Sequence, residues 1–265
     1  NNGGFIQIRA KLNPEIYTFV NLDEIVTVLT NAGQFLVDQL EEDGSYKVQH
    51  TYKKKKCAYY GRSTYGLLQA GIVLNNEVFI KKAYSNFKWV ASCQKENGVY
   101  TSWGFVENRS VLHTIAYTLR GQIEAANYFK DESLLQGVFK GIDYLINSTS
   151  SKFKYKGLLA SHYDDNGGHE QCLCITGLSQ LAIVLKKIPK DKRPKLYDDL
   201  FETIVYETKK FQIRGMNDQL LNGIMPASFP FDGIYQSNDF IEWGTKFFMD
   251  SILISMNIPA SEIRG

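Results

Sequence analysis

The 265-residue chain is poor in the residues that break or cross-link a fold, with six prolines, four cysteines and three tryptophans. Cys57, Cys93, Cys172 and Cys174 form no C-x-x-C pair and are too few to staple a chain this long, which excludes a zinc ribbon and a disulfide scaffold. They read as reduced thiols, and with them the expected compartment is the cytoplasm. No apolar run approaches the roughly 20 residues of a membrane span, and no secretory leader is visible. Charge of one sign is also lacking. Thirty basic side chains face 28 acidic ones, a net charge of +2, so no global field draws the chain to nucleic acid or a bilayer. With 44% hydrophobic and 13% aromatic residues it is no disordered chain, and its length suffices to bury a large core.

What is present is a repeat. Leu40-Glu41-Glu42-Asp43-Gly44-Ser45-Tyr46 and Gln94-Lys95-Glu96-Asn97-Gly98-Val99-Tyr100 share a polar turn, a glycine and an aromatic two positions later. A related pair is Gly157-Leu158-Leu159-Ala160-Ser161 and Gly223-Ile224-Met225-Pro226-Ala227-Ser228, each followed by an aspartate, Asp164 and Asp232. Such a period marks stacked supersecondary units, none of which buries its apolar face alone. Between the glycines, segments near 22–41, 78–94, 134–145 and 194–215 are amphipathic and lysine-rich, with Asp23 and Pro194 suited to first turns. Segments 60–74, 110–129, 170–188 and 240–256 instead mix Gly, Ala, Ser and Thr with apolar residues, as a helix packed on most sides requires. Outer and inner helices therefore alternate. The expected fold is all-α, an (α/α) toroid or an arc of one with about four hairpins, as one domain over residues 1–265. Residues 1–21 are expected to be an extension or the remnant of a preceding segment.

Gln94-Lys95-Glu96-Asn97-Gly98 through Trp103, followed by Thr114 and a small-residue helix, resembles the Q-x-x-D-G-x-W repeats of the prenyltransferase and squalene-cyclase superfamily. A likeness covering roughly 59–256 is to (α/α) toroid proteins linked to bacterial exopolysaccharide biosynthesis. It is carried by His113-Thr114-Ile115-Ala116-Tyr117-Thr118-Leu119-Arg120-Gly121, by Cys174-Ile175-Thr176-Gly177-Leu178-Ser179-Gln180-Leu181-Ala182 and by Glu242-Trp243-Gly244-Thr245-Lys246-Phe247-Phe248. This resemblance implies the toroid and a carbohydrate context. The D-x-D-D acid motif of squalene-type cyclases is missing, as is the Asp, Cys and His zinc set of prenyltransferases, so terpenoid chemistry is the weaker reading. No cofactor is expected.

In a toroid the loops before the inner helices meet at one mouth. That mouth should receive Tyr59, Tyr60 and Arg62; Trp103, Glu107, Asn108, Arg109, His113 and Tyr117; His162, Asp164, Asp165, His169 and Glu170; and Phe231, Asp232, Tyr235, Asp239, Glu242, Trp243 and Lys246. Aromatic rings and charged groups at this density suit a sugar, whose ring faces stack and whose hydroxyls need polar partners; the alternative is a packing lid over hairpin ends. The expected catalytic set is His113, Tyr117, Asp164, Asp165 and Glu242. The expected substrate contacts are Tyr60, Arg62, Trp103, Glu107, Asn108, His162, His169, Tyr235, Trp243 and Lys246. Hydrolysis would take two carboxylates from Glu107, Asp164, Asp165 and Glu242. Elimination or epimerisation of a uronic acid would take a Tyr or His base, with Arg62 or Asn108 neutralising the substrate carboxylate. His162 and His169 around Asp164-Asp165 have a spacing that metals use, but a solvated turn accounts for it and no metal is assigned. Lys53-Lys54-Lys55-Lys56 reads as a solvated loop, with polyanion contact as the alternative. The expected partner is an oligosaccharide or polysaccharide; a glycan-binding or assembly module without catalysis, and an isoprenoid-binding or cyclase-like protein, are the competing readings.

Overall fold

A computed structural model describes residues 21–105, 109–169 and 171–263. Its outer helices begin where a side chain takes up free backbone amides. Asn21 accepts from the amides of Asp23 and Glu24 to start α1 (Leu22–Asp38). Asn76 caps α3 (Glu77–Ser92) and Asp131 caps α5 (Glu132–Ser148), while Pro194 stands at the cap of α7 (Lys195–Thr208). The inner helices are α2 (Gly61–Leu74), α4 (Leu112–Phe129), α6 (Ile175–Lys187) and α8 (Glu242–Ser255). Helix α6 starts later than the pattern from Glu170 suggests. Leu173–Cys174 (β4) pairs antiparallel with Ser228–Phe229 (β5), and the Ile175 amide donates to Ala227 O at 3.0 Å, so extended partners claim these residues before the helix does. Cys172 and Cys174 accordingly lie outside the helix; the Cys174 sulfur accepts from the Gly177 amide as the α6 cap.

Inner helices pack side by side in the order α2, α4, α6, α8, each flanked by an outer helix. Small residues permit this. A Cβ on Gly121 of α4 would lie 2.7 Å from the Gly61 carbonyl of α2, so the two backbones nearly touch there. Most residues of α4 and nearly all of α6 are buried, as inner helices with few charges should be.

The four repeat glycines all take a left-handed φ: +86° at Gly44, +95° at Gly98, +80° at Gly157 and +97° at Gly223. In the first two units the turn closes a bridge, Leu40 to Tyr46 and Gln94 to Tyr100. The turn then rests on the outer helix of the next unit. A Cβ on Gly44 would lie 2.5 Å from Ser85 O in α3, and one on Gly98 2.3 Å from Lys140 O in α5. Asn86 donates to Gly44 O and Gln94 donates to Gly98 O, which fixes both turns at the end where the inner helices begin.

Loops after these turns carry three short strands, Ser110–Val111 (β1), His162–Asp164 (β2) and Gly167–Gly168 (β3), in one antiparallel sheet ordered β1-β2-β3. At the ends of the arc, α1 exposes Val28 and Phe35, and α8 exposes Met249 and Leu253, with Met256 at its C-cap. All four cysteines are free. Among the described residues no helix is long and apolar enough to cross a membrane. The expectation for residues 1–20 lies outside the described residues.

Candidate functional site

Helix α4 places His113, Tyr117, Arg120 and Glu124 at helical spacing on the side that meets the other inner helices. His113, 6% exposed, has Nδ1 only 2.6 Å from Nε2 of Gln180 in α6. An amide nitrogen only donates, so Nδ1 accepts and the ring proton stands on Nε2. Burial pushes the His113 pKa down to about 4, so the ring is neutral at pH 7 and presents an N–H. Its ring centroid lies 4.4 Å from that of Tyr117 and 5.4 Å from that of Tyr235, which arrives on the loop before α8. Tyr117 in turn meets Phe247 edge-on at 6.1 Å, and the Trp243 indole N–H points to the Tyr235 hydroxyl at 3.4 Å.

Cations surround these rings. The Arg62 guanidinium, from the first turn of α2, lies 5.5 Å from the Tyr65 ring centre and 6.0 Å from that of Tyr117. Lys246 of α8 lies 4.6 Å from the Phe247 ring centre and donates to Asp250 at 2.5 Å. Burial lowers the proton affinity of both Arg62 and Lys246, and repulsion from Arg120 lowers it further. Burial raises the Tyr117 pKa while the Arg62 charge opposes the rise. Deeper along α4, Glu124 accepts from Arg120 Nε and from Lys187 Nζ, both at 2.7 Å, and Arg120 also donates to Ile263 O.

Arg62, His113, Tyr117, Tyr235, Trp243 and Lys246 are thus brought together from three inner helices and one loop. The remaining expected residues are placed elsewhere. Asp164 and Asp165 line a separate groove; Asp165 binds Lys95 through both oxygens at 2.9 and 2.7 Å, and Asp164 pairs with His169 Nε2 at 2.7 Å. That pairing and the Asn166 amide hold the Asp164 carboxyl below the usual range, against its partial burial. Trp103 is 2% exposed and packs between Tyr100 and Tyr144, so it floors that groove and offers no free ring face. Tyr60 spends its hydroxyl on the Tyr52 amide at 2.7 Å, anchoring the lysine loop. His162 is buried beside β1, its Nδ1 2.9 Å from the Ser161 hydroxyl, and burial lowers its pKa to about 4 with help from the Arg109 charge. Glu242 is exposed in the first turn of α8, one turn before Lys246. Phe231 stacks on Phe240 near the surface. Glu107, Asn108 and Glu170 lie outside the described residues.

Sequence reasoning missed Gln180, Arg120, Glu124 and Asp250. For Arg120 and Glu124 the signal was available, since 113, 117, 120 and 124 fall four, three and four apart along one helix face.

No family model and no curated protein matches the chain. Solved structures do. The unsaturated glucuronyl hydrolase of Bacillus sp. GL1, described as responsible for the degradation of glycosaminoglycan, superposes with a TM-score of 0.69 at 12% identity over 90% of this chain and 70% of that one. A sugar epimerase from a ruminal bacterium gives 0.64 at 9% identity over 88% and 67%. The GH76 α-mannanase BT2949 of Bacteroides thetaiotaomicron gives 0.56 at 12% identity over 78% and 55%. The fold is an all-α (α/α) toroid. At these identities the likeness is one of fold, and it shifts the emphasis of the sequence resemblance: these three toroids carry sugar-acting names rather than terpenoid ones.

Proposed function

We propose that the chain is a carbohydrate-active protein whose mouth takes a carboxylate-bearing sugar of a polysaccharide or glycan precursor, in keeping with the exopolysaccharide context its sequence suggests. One observation carries the reading: Arg62 and Lys246 stand among the rings of Tyr117, Tyr235, Trp243 and Phe247, beside a neutral His113 that donates from Nε2. Tyr117 and Trp243 are half-buried and can meet a sugar face, with the buried Tyr235 and Phe247 behind them, and two cations with two neutral donors suit a carboxylate in a partly dry site. The fold shared with a glucuronyl hydrolase and a sugar epimerase supports the same reading by analogy. An isoprenoid tunnel would need an apolar bore, whereas Arg120, Glu124 and Lys187 lie along the interior side of the inner helices.

Among the described residues the groups at the mouth bind and polarise. His113 is neutral with its proton on Nε2, and burial favours the phenol form of Tyr117, so both act as donors. Such donors and cations stabilise the charge that builds on a uronate carboxylate when its neighbouring C–H is deprotonated, the step common to elimination and epimerisation. With His113 and Tyr117 holding their protons, the proton passes instead to a carboxylate base, for which the sequence offers Glu107. A purely binding role is favoured by a different fact: Asp250, Asp164 and Asp165 are ion-paired.

Calorimetric titration with acidic and neutral oligosaccharides of equal length tests the proposal, with mass spectrometry of the recovered ligand to detect turnover. Acidic sugars should bind more tightly, and Arg62→Gln or Lys246→Gln should weaken them by about 10- to 100-fold, the worth of one charged hydrogen bond. Equal binding of neutral sugars, or an Arg62→Gln variant that binds as the parent does, would sink it.

A further inference from the structure

Helix α6 meets the start of α4 closely because Gly177 carries no side chain. A Cβ there would lie 2.7 Å from the His113 amide nitrogen and 2.9 Å from the Leu112 Cβ. Three residues on, along the same face, Gln180 reaches the His113 ring. Its Nε2 lies 2.6 Å from Nδ1, and the side chain is buried at 4% exposure. We infer that Gln180 is a positioning residue that makes His113 a hydrogen-bond donor rather than a base, so that a ligand at the mouth must bring an acceptor oxygen to that ring, a reading that rests on the function proposed above.

A side-chain amide nitrogen has hydrogens to donate and accepts nothing, while a neutral imidazole has one donor and one acceptor nitrogen. With Nδ1 engaged as the acceptor of the Gln180 N–H, the ring proton is confined to Nε2. A second proton would enter at Nδ1 and break the bond to Gln180. The amide therefore opposes the imidazolium as well as the other tautomer. Burial acts in the same direction, pushing the ring pKa down to about 4.

The groups that face the ring do not titrate between pH 5 and 8. Tyr117 stands beside it on α4 and Tyr235 on the loop before α8, and burial raises both phenols above their ordinary value of 10. Cys174, the α6 cap, meets the His113 amide, and burial pushes its thiol up to about 12. Arg62 against Tyr117 and Lys246 against Phe247, the latter held by Asp250, stay cationic. Recognition of an acidic sugar should therefore be flat over this range. A carboxylate at position 180 would reverse the arrangement. It only accepts, so Nδ1 would keep a proton to donate to it, and its charge would raise the ring pKa. Above that raised value Nε2 would carry a bare lone pair, as a base does.

Nitrogen-15 NMR of the ligand-free protein reads the tautomer directly. The parent should show His113 protonated on Nε2 alone from pH 5 to 8. Gln180→Glu should titrate at a higher pH than the parent and end with its proton on Nδ1. Gln180→Met, which keeps the volume and removes the donor, should populate both tautomers; circular dichroism and melting curves confirm that the variants fold. Calorimetry with a glucuronate disaccharide follows the consequence. Parent affinity should stay within about twofold from pH 5 to 8, whereas that of Gln180→Glu should fall by about tenfold as pH rises, the worth of one hydrogen bond. A parent ring protonated on Nδ1, or a Gln180→Glu ring unchanged in tautomer and midpoint, overturns the inference. So does a parent affinity that falls with pH as the variant's does. If the NMR outcomes hold but no acidic sugar binds, Gln180 still sets the state of His113 and the acidic ligand of the mouth is what falls.

Discussion

Two buried histidines should give this protein a stability that declines with acid before its carboxylates begin to titrate. His113 and His162 are 6% and 9% exposed, and burial lowers each from an ordinary 6.5 to about 4. The unfolded chain therefore binds protons that the folded chain refuses. Stability is fully present above pH 6.5 and is lost progressively as pH falls from there to about 4. Each histidine contributes on the order of 3 kcal/mol across that window, at 1.36 kcal/mol per pKa unit. Carboxylates such as Asp43, lowered to about 2 by Ser45 and Lys56, lose their contribution only below the unfolded value of 3.8. Urea unfolding between pH 7.5 and 4.5 measures the slope. The double variant His113→Gln with His162→Gln should start less stable and lose little more on acidification. A parent protein whose stability is flat over that range, or a double variant that falls as steeply, would refute the argument from burial.

Two further outcomes follow from the repeat. Gly98→Ala should cost about 3 kcal/mol or more, because a strained left-handed alanine would also meet Lys140 O, whereas Gly223→Ala, with nothing nearer than 3.9 Å, should cost only the strain of about 1–2 kcal/mol; parallel urea midpoints compare them. Asp131→Ala should cost about 2 kcal/mol, since that carboxylate caps α5 through the Ser133 and Leu134 amides and also accepts from the Tyr84 hydroxyl at 2.8 Å and the Lys88 ammonium at 3.2 Å. Its stabilising part is present above pH 3.8 and lost below it, because those hydrogen bonds lower its pKa.

Much of the fold was legible because packing leaves periodic traces. The alternation of lysine-rich and small-residue helices marks outer and inner positions, and the repeated glycine marks a backbone conformation that other residues adopt at a cost. Boundaries failed where a side-chain pattern and a backbone partner disagreed, as at Leu173 and Cys174, which look helical by composition but pair with Phe229 and Ser228. The site was half legible. Residues of α2, α4 and α8 converge as loop order suggests, because the fold itself gathers helix N-termini. Asp164 and Asp165 do not join them, because Lys95 and His169 hold them at a second groove, and no local pattern encodes a partner 70 residues away.

The interior ion cluster supplies the most demanding test of the toroid. Glu124 is 11% exposed and stands between Arg120 and Lys187, both 4% exposed, so one carboxylate is shared by two buried cations. Burial alone would raise its pKa, yet the two cations prevail and hold it low. Glu124→Gln removes the carboxylate that both cations share and should cost about 3–5 kcal/mol. Lys187→Met should cost less, because Arg120 and Glu124 then remain a balanced pair. The double variant should be more stable than Glu124→Gln alone, since removing Lys187 removes the repulsion that the first change exposed. Urea unfolding of the three proteins closes this cycle. Additive losses, or a Glu124→Gln cost below about 1 kcal/mol, would mean that solvent screens the cluster and that the interior is wet rather than packed. The cycle also bears on the mouth, because Arg120 repels Arg62 and Lys246. Uncovering Arg120 by Glu124→Gln should therefore tighten an acidic sugar at the mouth even as it loosens the fold, a pairing of effects that a merely structural cluster would not produce.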